Sequence, residues 1–171
     1  LGELLQATIA NFDGETWIGT RTLAEQFLLN GDPAIRINPN PGPDFITDVR
    51  DIRFEPSVLS IQQDSFDLNF SILNLGKAQR DSFNLRIEQE LPSGQRTLWT
   101  TLRVQAEGFK TDVQLRLASP DRTAVGENRL HILLDSNNEI IESPTPTAET
   151  NNQLVDANGR EGLAFFVVDN T

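Results

Sequence analysis

The sequence contains no cysteine, which removes disulfides, thiolate metal sites and cysteine nucleophiles from its chemistry. Histidine is nearly absent as well. His131 is the only one, and its alternation with Leu130 and Ile132 predicts a surface position on a strand. With no Gly-x-Ser-x-Gly elbow to supply a serine partner, Ser–His hydrolase chemistry is not expected. Gly76-Lys77 lacks the upstream glycine of a phosphate cradle, and there is no dinucleotide fingerprint. Basic residues are scarce, 14 Lys and Arg against 25 Asp and Glu, for a net charge of -11. The summed field repels a phosphate backbone, so nucleic acid is not a partner. Long apolar runs are missing too, which argues against a membrane span and leaves no signal-peptide core. The chain starts directly in an apolar helical pattern and ends on an apolar strand pattern, as expected of a piece cut from a longer polypeptide.

What is present is the composition of a globule with a real core, 37% hydrophobic and 23% charged over 171 residues, enough for about one domain plus part of a neighbour. Leu1, Leu4, Leu5, Ile9 and Phe12 follow the spacing of one helix face. A second helical stretch runs through Leu23, Phe27 and Leu28, with Thr22 and Glu25 at capping-box spacing. A turn at residues 30–33 leads to a brief strand at 34–37. These elements cannot bury their own apolar faces, so an exposed, protease-sensitive N-terminal segment is expected unless it docks. Residues 38–44 hold Pro39, Pro41 and Pro43, an extended linker. The expected organisation is therefore a helical tail plus linker over residues 1–44 and a second domain over 45–171.

Beyond the linker the period changes to two. Phe66, Leu68, Phe70 and Ile72 alternate with polar residues, as do Phe83, Leu85 and Ile87, then Val113, Leu115 and Leu117, then Leu130, Ile132 and Leu134. Residues 163–168 are apolar enough for a strand buried on both faces. Turn chemistry separates these runs at Gly76, Pro92-Ser93-Gly94, Pro120-Asp121 and Gly126. The pattern predicts a mainly β protein, an immunoglobulin-like antiparallel β-sandwich of about seven strands preceded by a short N-terminal α-helical segment. Phe66, Phe70, Phe83, Phe109 and Phe165 are the expected core aromatics. Trp99 reads as a half-buried strand residue, because no second aromatic beside it completes a sugar-stacking platform. Glu88 and Glu90 share a strand face as solvated carboxylates, not as an acid–base pair.

Hard oxygen donors concentrate in residues 135–152: Asp135, Asn137, Asn138, Glu139, Glu142, Glu149, Asn151 and Asn152. Calcium takes six to eight oxygens from carboxylates, amides and carbonyls, which a loop of this content supplies. It is no EF-hand, since positions six and twelve of a loop starting at Asp135 are Ile140 and Pro146. The alternative is a solvated Asn-rich turn followed by a Pro-Thr loop. The candidate ligands are Asp135, Asn137, Glu142, Glu149 and Asn152, with calcium the candidate cofactor. No catalytic residue is assigned.

Two resemblances add to this. LGELLQATI at residues 1–9 and LAEQFLLNGDPAIRI at 23–37 resemble the end of the catalytic domain in gingipain-like cysteine peptidases of Bacteroidetes, GDPAIRI being the most specific piece. The resemblance implies the last part of a caspase-like domain whose Cys and His would lie upstream of Leu1. NLGKAQRDSFNLRI at 74–87, GENRLHILLD at 126–135 and the acidic ending at 137–152 resemble the cell-adhesion-related, immunoglobulin-like CARDB module. That family's ending places its Asp, two Glu and Asn pair at Asp135, Glu142, Glu149, Asn151 and Asn152, with the Glu–Glu gap lengthened here by SPTPTA. GLAFFVVDNT at 162–171 resembles a strand leading into a further domain of large type IX secretion proteins of the sortase-like peptidase class. The resemblances imply a secreted or cell-surface location.

Three function classes follow. The first is a non-catalytic structural or interaction module attached to a secreted gingipain-like peptidase, acting as spacer, stabiliser or protein-interaction surface, with neighbouring domains of the parent or a cell-surface protein as partners. The second is a calcium-dependent module that binds carbohydrate or a cell surface. The third is a hydrolase built on carboxylates, for which the sequence offers no constellation.

Overall fold

In the computed structural model, the described residues are 6, 7, 10 and 40–170 except 107 and 145. The chain divides into two compact units, Leu1–Pro39 and Asn40–Thr171. Gln6, Ala7 and Ala10 are helical and exposed. The rest of the expected N-terminal helices, the strand at 34–37 and the exposed apolar tail lie outside the described residues, as does Trp17. All that follows concerns the second unit.

Its strands are β1 (Phe45–Ile46), β2 (Arg53–Glu55), β3 (Leu59–Ser60), β4 (Ser65–Asn74), β5 (Ser82–Glu90), β6 (Arg96–Gln105), β7 (Lys110–Ala118), β8 (Gly126–Leu133) and β9 (Leu163–Val168). One sheet is built on β4. β7 pairs with it along residues 65–73, so β1 at residues 73–74 and β2 at 67–69 must share its other edge. The second sheet has the order β3-β9-β8-β5-β6, antiparallel except for the β3–β9 pair. After β3 the chain places β4 in the first sheet, β5 and β6 in the second, β7 in the first, and β8 and β9 in the second. This is the expected antiparallel sandwich, with its edges completed by three short pieces, β1 and β2 beside β4 and β3 beside β9.

The alternation that predicts the strands also builds the core. Phe66, Leu68, Phe70 and Ile72 of β4 join Phe83, Leu85 and Ile87 of β5 and Leu130 and Ile132 of β8 in one buried cluster. Each such side chain contributes about 1.5–3 kcal/mol of gross hydrophobic stabilisation. Aromatic contacts close both ends. At one, Trp99 lies 5.3 Å from Phe66 and 5.8 Å from Phe165, and Phe54 lies 5.0 Å from Phe165. At the other, Phe45 of β1 stacks obliquely on Phe83 at 4.7 Å. Trp99 is half-buried, as expected. It has no register partner on β5, where the pairing shifts between Ile87 and Glu88, and such a bulge re-aims the side chain at its centre.

Four expectations are corrected. Phe109 is no core residue: it is 67% exposed because it sits in the turn before β7 begins, and only its carbonyl is used, accepting Asn74 N–H at 2.9 Å. His131 is not on the surface but 1% exposed, since the outer face of β8 is covered: Gly162 lies against the imidazole, and Nε2 is 2.8 Å from Glu90 Oε2. Glu88 is buried and paired with Arg86, and Glu90 is shared by His131 and Arg96, so neither is a freely solvated carboxylate. β9 is buried on one face only, with Phe166 exposed on the other, which no described strand of the second sheet packs against. The apolar run is a strand near the sheet edge rather than a central one.

Candidate metal centre

The Phe45 end of the sandwich is assembled around the point where the Pro-rich segment enters β1. Asn74, at the end of β4, is buried and uses its whole side chain as a clasp. Its Oδ1 accepts the N–H groups of Asp44 at 3.1 Å and Gly76 at 3.0 Å, while Nδ2 donates to the Lys77 carbonyl at 3.1 Å. Lys77 N–H donates to the Gly42 carbonyl and Leu75 N–H to that of Asp44, both at 2.8 Å. A Cβ on Gly76 would lie 2.3 Å from the Gly42 carbonyl oxygen. Only glycine lets the two backbones approach this closely, which gives the Asn-Leu-Gly run its physical meaning.

The loop after β8 supplies the other wall. Asp135 has φ 42°, in the left-handed region, and its carboxylate accepts Glu139 N–H at 2.8 Å and Ile140 N–H at 2.7 Å, bracing the turn. The chain then presents Glu142 inward, with no exposed surface. Glu142 Oε2 accepts Phe45 N–H at 2.5 Å, and Oε1 accepts Asn152 Nδ2–H at 2.6 Å. Its own N–H donates to Glu149 Oε1 at 2.7 Å. Glu149 projects from the single helical turn α1 (Thr147–Thr150), and Asn151 beyond it donates to Asp44 Oδ1 at 2.9 Å. Burial, above all, pushes the Glu142 carboxyl up to about 7; Glu149 and Asp135 raise it further, against the hydrogen bonds from Phe45 and Asn152.

Three oxygens in this cluster are buried and accept no hydrogen bond from the described residues: Glu149 Oε2, Asn151 Oδ1 and Asn152 Oδ1. A buried acceptor without a donor is costly, of the order of 1–3 kcal/mol each, and the cluster also holds a buried carboxyl that resists ionisation. A hard cation satisfies both conditions, because it coordinates amide and carboxylate oxygens alike and favours the ionised carboxylate. Among the described residues no three His, Cys, Asp or Glu group together as ligands. The donor set that fits is therefore mixed, carboxylates from Glu142 and Glu149 with amides from Asn151 and Asn152.

Of the ligands expected from sequence, Glu142, Glu149 and Asn152 come together. Asp135 stands close enough to act on Glu142 electrostatically, and its carboxylate braces the turn at Glu139 and Ile140. Asn137 is exposed and reaches only Glu139, at 3.4 Å, which in turn pairs with Arg103. Asp44 and Asn74 are not among the ligands expected from sequence. Asp44 follows a proline linker and carries no local signal, and only the fold brings it to residues about a hundred positions away. Away from this end, the described residues line open depressions. One, of about 340 Å³, is lined by Asn69, Ser71, Asp112 and Gln114 among others; another, of about 280 Å³, lies beside Glu90 and Arg129. Arg129 is already bound to Asp156 Oδ2 at 2.9 Å and the Gly162 carbonyl at 2.7 Å.

No helix among the described residues is long and apolar enough to cross a membrane. No family model matches the chain, and no curated protein matches it. Among solved structures, a β-glucosidase 3B from Thermotoga neapolitana in complex with α-D-glucose is 15% identical, with TM-score 0.42, over 72% of this chain and 17% of its own. A β-glucosidase from Kluyveromyces marxianus is 15% identical, with TM-score 0.39, over 58% and 13%. The CARDB domain of a Pyrococcus furiosus protein, crystallised in complex with di-metal ions, is 18% identical over 82% of this chain and 100% of its own, with TM-score 0.53. The sandwich thus shares the fold of a CARDB domain.

Proposed function

We propose that the chain is a non-catalytic, adhesion-type module of a longer secreted or cell-surface protein, standing beside a gingipain-like cysteine peptidase domain as spacer, stabiliser or protein-interaction surface. The observation that carries this reading is the likeness of the sandwich to a complete CARDB domain. In support, the single histidine is sealed between Glu90 and Gly162 and cannot meet a substrate. The reading is tested by deleting residues 40–171 from the secreted polypeptide. Peptidase turnover per folded molecule should stay the same, while the amount of protein reaching or remaining at the cell surface falls. Lost turnover in a deletion product that still folds would overturn it.

The second reading, a calcium-dependent carbohydrate- or cell-surface-binding module, is favoured by the three unpartnered oxygens at the Glu142 end. Calcium would be held by Glu142, Glu149, Asn151 and Asn152, and would supply a cross-link within the loop at residues 142–152 rather than chemistry. Because a ligand that binds only the folded state stabilises it by RT ln(1 + [L]/Kd), the melting temperature must climb with calcium concentration and fall back with chelator. A melting temperature indifferent to calcium up to millimolar levels would remove calcium from the reading.

A further inference from the structure

Asn151, which carries one of the unpartnered oxygens, and Glu142, which is hydrogen-bonded to Asn152, grip the entry of the chain into the sandwich. Glu142 holds the Phe45 amide and Asn151 holds the Asp44 carboxylate. One residue on, Ser143 N–H donates to the Pro43 carbonyl at 2.9 Å. β1 is only two residues long and contributes just two register pairs to β4, Phe45 with Asn74 and Ile46 with Leu73. Backbone pairing this short holds an edge strand weakly. Phe45 buried against Phe83 and the Asn74 clasp hold the segment from the sheet side, and the Glu142–Asn152 loop holds it from the other wall.

We propose that the cation site is a fastener for the entry strand: occupancy of the oxygens of Glu142, Glu149, Asn151 and Asn152 locks β1 and residues 42–44 onto the sandwich, with Asp44 drawn in through Asn151. This rests on the cation reading above and adds what the cation does. A carboxylate oxygen has lone pairs for both a metal and an amide donor, so the Phe45–Glu142 bond persists when the site fills. Fixing Glu142 and Asn151 then raises the free energy of opening at residues 42–46. The effect is local, since β4, β5 and β8 are held by their own ladders and core. The site thereby sets the free energy of opening where the chain enters the sandwich.

The experiment is amide hydrogen exchange on the full chain, with calcium binding followed separately by titration calorimetry. With free calcium at about ten times the dissociation constant, the amides of Phe45 and Leu75 should exchange about tenfold more slowly, the factor 1 + [L]/Kd applied to local opening. The amides of β8 should not change beyond the general stabilisation. Glu142→Gln removes the charge and turns one of the two acceptor oxygens into an amide N–H donor, which Asn152 meets by rotating its own amide so that Oδ1 accepts, and it should abolish both the heat and the calcium-induced protection. Binding heat without added protection at Phe45 and Leu75 overturns the fastener alone. Absence of binding heat overturns the cation reading and the fastener with it.

Discussion

Glu142 is a carboxyl with no exposed surface whose ionisation must be compensated, and this gives the isolated chain a pH dependence of unusual sign for an acidic residue. Its folded pKa of about 7 stands above the ordinary 4.5, burial being the main cause. Between these values the folded chain keeps the proton and the unfolded chain has released it. Stability contributed here is therefore complete below about pH 4.5 and is lost as pH rises through about 7, a difference of about 3 kcal/mol. Glu90, lowered chiefly by its hydrogen bond to His131, and Asp156, lowered chiefly by Arg129, act in the opposite sense at more acid pH, so the windows separate. In chelator, Glu142→Gln should match the parent at pH 4.5 and exceed it in urea-unfolding stability at pH 8. A parent whose stability rises from pH 5 to 8, unchanged by the substitution, would contradict the assignment. At the same scale, Gly76→Ala drives a Cβ into the Gly42 carbonyl, 2.3 Å away, and should cost about 1–3 kcal/mol by overpacking. Gly108→Ala meets nothing within 4 Å and should be nearly neutral.

At the scale of elements, the alternation of Phe66 to Ile72 and its counterparts in β5, β7 and β8 made the strands legible, because period two is a direct image of one face in the core and one outside. β1, β2 and β3 were not legible. Two or three residues cannot display a period, and their positions depend on which edge of β4 or β9 is free. The aromatics divide the same way. Phe66 faces the core from mid-strand, whereas Phe109, in phase with Val113 and Leu117 on paper, falls where the strand has already ended. Phe66→Ala should therefore cost about 3–5 kcal/mol in denaturant unfolding, and Phe109→Ala less than about 0.5 kcal/mol. Equal effects at the two positions would mean that the β6–β7 turn is packed differently. The candidate site was half legible for a related reason. Glu142, Glu149 and Asn152 sit within one stretch rich in oxygen donors, while Asp44 and Asn74 arrive from elements whose neighbourhood only the sheet topology creates.

For the whole molecule the decisive quantity is the net charge of -11. Like charges held on a compact body repel, and folding concentrates them. The ion pairs work the other way, but most join side chains with substantial exposure, such as Arg96 with Glu161 and Lys110 with Asp112, and pairs of that kind contribute about 0–1 kcal/mol each. Arg129 with Asp156 is the buried exception. Repulsion acts over many pairs at long range and is what salt removes first, since the screening length falls from about 30 Å at 0.01 M to about 8 Å at 0.15 M. Sodium chloride over that range should therefore raise the melting temperature, in chelator and at pH 8, where Glu142 adds its own charge. A falling melting temperature would mean that the ion pairs outweigh the net charge. Calcium compared with sodium chloride at equal ionic strength then separates the two effects. Screening depends on ionic strength alone, so any further rise with calcium belongs to a bound ion, and that excess should vanish in Glu142→Gln while the response to sodium chloride remains.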